Sequence, residues 1–360
     1  MSDSPKEIDL KENQNKKDEE INQLKQTIKK QKNKIKKMKK ELEIFKPERK
    51  AHQDLENFKS QISNLNENSI EETIKYMKQY PINQKIQENG CFILQKFAKE
   101  NEDNQIEIKK FNGIEPLINV MNNFPNNEDI QIKASEALLI FSGGLKKNNI
   151  EIRNLKGIEP IIKSMNNFPN NQVIQEKGCG ALLNIAADNE NRIEIRNLKG
   201  IEYIIKAMYN FPNNQVIQEK GCGALLNIAA DNENKIEIRN LKGIEPIIKS
   251  MHNFPNNKDI QKYGCGALLN IAADNENKIE IRNLKGIESI IKSMNNFPNN
   301  EDIQKYGCWA LKNLSFNKEN RIEIRNLKGI EAIIKAMNNF SNNQVIQENG
   351  KWTLEKLQNN

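Results

Sequence analysis

The sequence predicts an all-α protein, most of it a solenoid of stacked helical units. Two observations predict this, and a third places it inside each unit. The segment GCGALLNIAADNEN at 178–191 returns unchanged at 221–234 and 264–277, each 43 positions after the last. Aligned on the motif Asn-Leu-Lys-Gly-Ile-Glu, the glycines fall at Gly113, Gly157, Gly200, Gly243, Gly286 and Gly329, with spacings of 44, 43, 43, 43 and 43. Within a unit, Ile158, Ile161, Ile162 and Met165 recur at i, i+3, i+4 and i+7, the mark of an amphipathic helix. A period of about 40–47 residues belongs to stacked helix pairs or triplets, each too small to bury its apolar face without a neighbour. An earlier copy, SIEETIKYMKQYP from Ser69, matches GIEPLINVMNNFP and brings the expected number of units to about seven.

The elements follow in chain order. Residues 1–19 have the polar, charged composition of a disordered tail. Residues 20–46 form a basic helix with a heptad seam: Ile21, Ile28, Ile35 and Leu42 at one core position, Leu24, Gln31, Met38 and Phe45 at the other. Pro47 ends it, and 47–68 is read as a linker with a partial capping helix. The seam suits either a homodimer or an acidic partner helix. In a parallel pair Glu20 meets Lys25 and Glu41 meets Lys46 favourably, while Lys34 meets Lys39 and repels it. Residues 69–360 form the repeat domain.

Each repeat reads as three helices. The first, NRIEIRNLKG in the unit at 191–200, is short and stops at a glycine expected to take a left-handed cap. The second, 158–168, carries Pro160 in its first turn and ends at Pro169. The third runs from about 171 to 187, capped by Asn170 or Asn171, with Ile174, Gly178, Ala181, Leu182 and Ile185 on one stripe and Cys179, Leu183 and Ala186 widening it. Residues 134–147 are irregular, and Gly143-Gly144 suggests a local kink. The last copy places Lys351, Glu355, Lys356 and Gln358 where inner copies are apolar or small, as expected of a capping repeat.

Three helices of this pattern, with GALLNIA in the third and GIEPIIKSM in the second, resemble armadillo repeats over roughly 69–360. The phrase MNNFPNNxxIQxxGCxAL is also similar to the armadillo region of leucine-rich-repeat kinases. The resemblance implies a right-handed superhelical solenoid whose third helices line a concave groove, with a binding surface rather than a reaction as its function. In import adaptors of the importin-α type, a Trp-x-x-x-Asn pattern on the third helix holds an extended peptide. Here Asn184, Asn227, Asn270 and Asn313 keep the amide, but only Trp309-Ala-Leu-Lys-Asn313 carries the whole pattern.

An amide ladder has a physical use of its own, since each side chain offers a donor and an acceptor to an extended backbone. Glu176, Gly180, Asn184 and Asp188, four apart, read as one exposed row. Specificity then falls to the varying pair before Gly-Cys: Glu176-Lys177, Glu219-Lys220, Lys262-Tyr263 and Lys305-Tyr306. The alternative use of the asparagines is to tie adjacent repeats through neighbouring carbonyls. Arg153, Arg196, Arg239, Arg282 and Arg325 recur in IEIRNL, and a between-repeat ion pair or carbonyl contact is expected of them.

Composition narrows the function classes. Hydrophobic residues are 37% and charged residues 29% of the chain, with a mean hydropathy of −0.77. No apolar run reaches membrane-span length, and the amino terminus lacks a signal-peptide core, so the cytosol or the nucleus is expected. Cys91, Cys179, Cys222, Cys265 and Cys308 share one repeat position. Helices pack about 8–10 Å apart, beyond the roughly 7 Å Cα limit of a disulfide, so free buried thiols are expected. No cofactor, metal cluster or catalytic constellation is legible, and an enzyme is not expected. Residues 1–50 hold 16 Lys and Arg against 10 Asp and Glu, while the other 310 residues hold 39 and 38. The positive charge concentrates in a run containing Lys29, Lys30, Lys32, Lys34, Lys36, Lys37, Lys39 and Lys40.

The leading reading is a scaffold that holds an extended or helical partner segment in the groove. A nuclear-import adaptor, a polyanion binder (nucleic acid or anionic lipid) acting through the lysine run, and a small-GTPase regulator, by resemblance, are the alternatives.

Overall fold

A computed structural model of the protein describes residues 20–21, 23–39, 68–144 and 146–358. Contacts divide the chain into Met1–Asn66 and Glu67–Asn360. In the first unit the described residues of 20–39 are helical (α1), and Ile21, Leu24, Ile28, Ile35 and Met38 are exposed. Leu42, Phe45 and Lys40 lie outside the described residues.

In the second unit every described element is a helix. A pair, α2 (Asn68–Gln79) and α3 (Gln84–Glu100), is followed by triplets: α4 (Glu102–Lys110), α5 (Ile114–Asn123), α6 (Glu128–Gly143); α7 (Lys146–Asn154), α8 (Ile158–Asn167), α9 (Gln172–Ile185); α10 (Asn189–Asn197), α11 (Gly200–Asn210), α12 (Gln215–Ile228). The pattern continues with α13 (Asn232–Asn240), α14 (Ile244–Asn253), α15 (Lys258–Ile271); α16 (Asn275–Asn283), α17 (Gly286–Asn296), α18 (Glu301–Leu314); α19 (Lys318–Asn326), α20 (Gly329–Asn339) and α21 (Gln344–Gln358). Each third helix packs chiefly on the third helices of the repeats before and after it, while second helices pack chiefly on the third helix of their own repeat and more lightly on neighbouring second helices. The core is therefore a continuous seam rather than a central ball.

Local chemistry sets the element ends. Asn171 caps α9, its side chain accepting from Ile174 N at 2.9 Å, and Asn127, Asn214, Asn257 and Asn300 do the same for their helices. Between the second and third helices stands a buried glutamine. Gln175 Nε2 donates to Met165 O at 2.8 Å, a carbonyl left open because Pro169 has no N–H, and to Phe168 O at 3.0 Å, which also accepts from Asn171 N. Gln87, Gln131, Gln218, Gln261, Gln304 and Gln347 repeat the arrangement. Gly178 lets the second helix close on the third: a Cβ there would lie 2.5 Å from Met165 Cγ. The five cysteines are free and buried, their thiols pushed up to about 12 by burial.

Three expectations are corrected. The left-handed residue ending the first helix is the lysine before the glycine, as at Lys199 (φ 63) and Lys285 (φ 64); no described glycine has positive φ. Gly200 is needed for space, because a Cβ there would meet Ile195 Cγ2 at 2.7 Å and Ile162 Cδ1 at 2.9 Å. Gly143-Gly144 does not kink a helix: Gly143 is the last residue of α6 and Gly144 its cap. The row Glu176, Gly180, Asn184, Asp188 is broken. Gly180 is buried, a Cβ there lying 3.0 Å from Leu139 Cδ1, and α9 ends at Ile185, so Asp188 belongs to the next helix as its cap.

Candidate functional site

The candidate surface is the face formed by the third helices, and its positions are set by what each helix must do for its neighbour. Asn184, Asn227, Asn270 and Asn313 stand at one register, all half-buried. Asn227 Nδ2 donates to Leu183 O at 2.9 Å, Asn270 Nδ2 to Leu226 O at 3.0 Å and Asn313 Nδ2 to Leu269 O at 3.1 Å. Asn184 makes longer contacts with Leu139 O and Ser142 Oγ, 3.4 and 3.3 Å. Each amide thus ties its helix to the preceding one. A pocket of about 470 Å³, lined in part by Gly143, Asn184, Asn227 and Tyr263, opens along the first rungs.

The varying pair before Gly-Cys lies about two turns earlier on each helix and is half-buried throughout. Glu176 Oε1 accepts from Asn214 Nδ2 at 2.9 Å, and Glu219 pairs with Lys220 at 2.9 Å. Toward the carboxyl end the pair changes. Lys262 Nζ meets Asp259 at 2.9 Å and lies 4.6 Å from the Tyr263 ring centroid; Lys305 meets Asp302 at 2.9 Å and lies 5.0 Å from the Tyr306 centroid. Its hydrogen bond to Asp302 pushes the Lys305 ammonium up and holds the Asp302 carboxyl below its usual range. Trp309 is exposed at the end of this row.

On the first helices the recurring arginines make the expected between-repeat contacts. Arg153 Nη1 bonds Asp188 Oδ1 at 3.1 Å and Asn191 Oδ1 at 3.2 Å; Arg196 repeats this with Asp231 and Asn234, Arg239 with Asp274 and Asn277. Arg325 Nη1 instead donates to Leu357 O at 2.8 Å. The junction between α16 and α19 differs. Asn317 replaces the aspartate, Arg282 reaches only Glu319 at 3.8 Å, and its buried Nη1 has no hydrogen-bond partner.

Sequence reasoning missed two groups: the buried glutamines, and the Phe316–Trp352 contact described below. The signal for the first was a Gln at the same place in every copy of an otherwise apolar stripe. Among the described residues no group of three or more His, Cys, Asp or Glu could hold a metal ion, and no helix is long and apolar enough to cross a membrane.

Stacked helix triplets with nearest-neighbour ties define an armadillo-type repeat protein. Residues 52–242 and 198–360 match the model of the LRRK2 ARM repeat family, and the chain belongs to it. Among solved structures it is similar to an engineered protein (22% identity, TM-score 0.68, covering 81% of this chain and 68% of that one). It is also similar to a designed armadillo repeat protein (20%, 0.58, 68% and 99%) and to another in complex with the peptide (KR)4 (18%, 0.56, 68% and 99%). No curated protein sequence matches.

Proposed function

We propose that the repeat domain, residues 69–360, is a non-enzymatic scaffold that holds an extended or helical segment of a partner protein along its third-helix face. One observation carries the reading: the same amide stands at one register on four consecutive third helices, beside positions that change from Glu-Lys to Lys-Tyr. The second N–H and the carbonyl oxygen of each amide suit an extended backbone, which rises about 3.3 Å per residue, so that one repeat of about 10 Å spans about three residues. A designed armadillo protein that carries a peptide lends the fold a precedent. The varying positions Glu176, Glu219, Lys262, Tyr263, Lys305 and Tyr306, with Trp309, select among sequences. The cytosol or nucleus is the proposed location, and 20–46 the proposed tether.

Selection of a displayed random-peptide library on the full chain tests this. Enriched peptides should lose binding to the variant Asn227→Ala, Asn270→Ala, Asn313→Ala, with circular dichroism confirming that the helices persist. Peptides that bind the triple variant equally well refute the groove.

A further inference from the structure

The third-helix face changes character at its carboxyl end. Where α9, α12 and α15 present Gly180, Gly223 and Gly266, α18 presents Trp309, 42% exposed. Leu183, Leu226 and Leu269 give way to Lys312; Ala187, Ala230 and Ala273 give way to Phe316, 59% exposed. The Phe316 ring rests against Trp352 of α21, their centroids 4.7 Å apart. Three ammonium groups surround this pair: Lys278 Nζ lies 5.7 Å from the Phe316 centroid, Lys312 and Lys356 5.6 and 5.5 Å from that of Trp352. Lys312, half-buried, donates to the neutral Asn349 Oδ1 at 2.9 Å, a bond that leaves its charge uncompensated; Lys278 is buried and donates to Asn275 Oδ1 at 2.7 Å.

The exposed Phe316 ring and the half-buried Trp352 gain from further burial, and cations beside them attract an anion. A nucleic acid would need a basic track along its backbone. The chain beyond residue 50 holds 39 basic and 38 acidic residues, too even a balance for such a track. Charge complementarity therefore selects a short acidic peptide. We propose that the patch docks an acidic segment of a partner protein, with an apolar side chain on the Phe316–Trp352 pair and carboxylates reaching Lys312 and Lys356. This rests on the scaffold reading and gives its ligand a chemistry.

Trp309 and Trp352 are the chain's two tryptophans, so intrinsic emission reports from the site. The probe is a short synthetic peptide with a central phenylalanine flanked by glutamates, titrated into the full chain. Binding should saturate, weaken as salt rises, and fall about tenfold or more in the double variant Phe316→Ala, Lys312→Leu. That variant restores residues the inner repeats already carry, so its fold should persist, as circular dichroism will show. Equal binding of the glutamine-for-glutamate peptide, or unchanged binding by the variant, overturns the proposal. Preference for oligothymidine overturns the peptide assignment. Preference for a Lys-Arg peptide overturns the acidic chemistry yet leaves the scaffold standing.

Discussion

Replacing Asn317 with aspartate should strengthen the junction between α16 and α19. At the three preceding junctions an aspartate carboxylate accepts from the arginine Nη1 at 3.1–3.2 Å while capping its own helix. At the fourth, Asn317 still caps α19 through Asn320 N at 3.0 Å but leaves Arg282 Nη1 without a hydrogen bond. Hydrogen bonds to charged groups contribute about 1.5–3 kcal/mol when buried, and exposed ion pairs about 0.2–1. The aspartates at the intact junctions are 18–32% exposed, so about 1–2 kcal/mol is expected of Asn317→Asp, between those two ranges. Native-state hydrogen exchange is the appropriate assay, because a stack of repeats need not unfold in one step. Amides of α19 to α21 should exchange about 5–30-fold more slowly. The mirror variant Asp231→Asn should cost a similar amount at its own junction. If Asn317→Asp leaves exchange unchanged while Asp231→Asn speeds it, the missing carboxylate is not what distinguishes the fourth junction.

Further outcomes are expected. Gly243→Ala should destabilise by about 1–3 kcal/mol in urea denaturation, since its Cβ would lie 2.6 Å from Ile205 Cδ1; Lys242→Gly, at φ 58, should stabilise by up to about 1 kcal/mol. Gln261→Leu removes the bonds to Met251 O and Phe254 O and should cost about 2–4 kcal/mol, read as a lowered midpoint. The buried cysteines should resist alkylation at neutral pH until the chain is unfolded. Their folded values near 12 exceed the ordinary 9.0, so between these the folded state holds more protons; stability is full below about pH 9 and falls as pH rises, measured by denaturation at stepped pH.

What could be read directly were features local to one helix. The spacing of Ile158, Ile161, Ile162 and Met165 places the second helix, and the Asn-Asn pair before Gln172 places the cap of the third. Features that depend on a neighbour were harder. Lys199 takes the left-handed conformation because Gly200, the expected carrier, is held against Ile195 and Ile162, a crowding visible only once the helices are stacked. Asp188 looked like part of a groove row because helical spacing was carried three residues past the end of α9. The asparagine register was legible, and so was its alternative use; the structure fills one N–H of each amide with a neighbouring carbonyl. Phe316 and Trp352 are 36 residues apart, and nothing but the fold brings them together.

Because every tie among the described residues of the repeat domain reaches only the adjoining unit, the domain can be edited like a ruler cut at its graduations. Excising residues 215–257 would bring Arg196 to Asp274, the same chemical partner it loses in Asp231, and leave Asn214 at the head of a helix that begins Lys-Asp-Ile. A shorter protein with the same surface chemistry at its far end should result, and the distance between its two ends becomes a quantity that gene duplication can tune in whole steps.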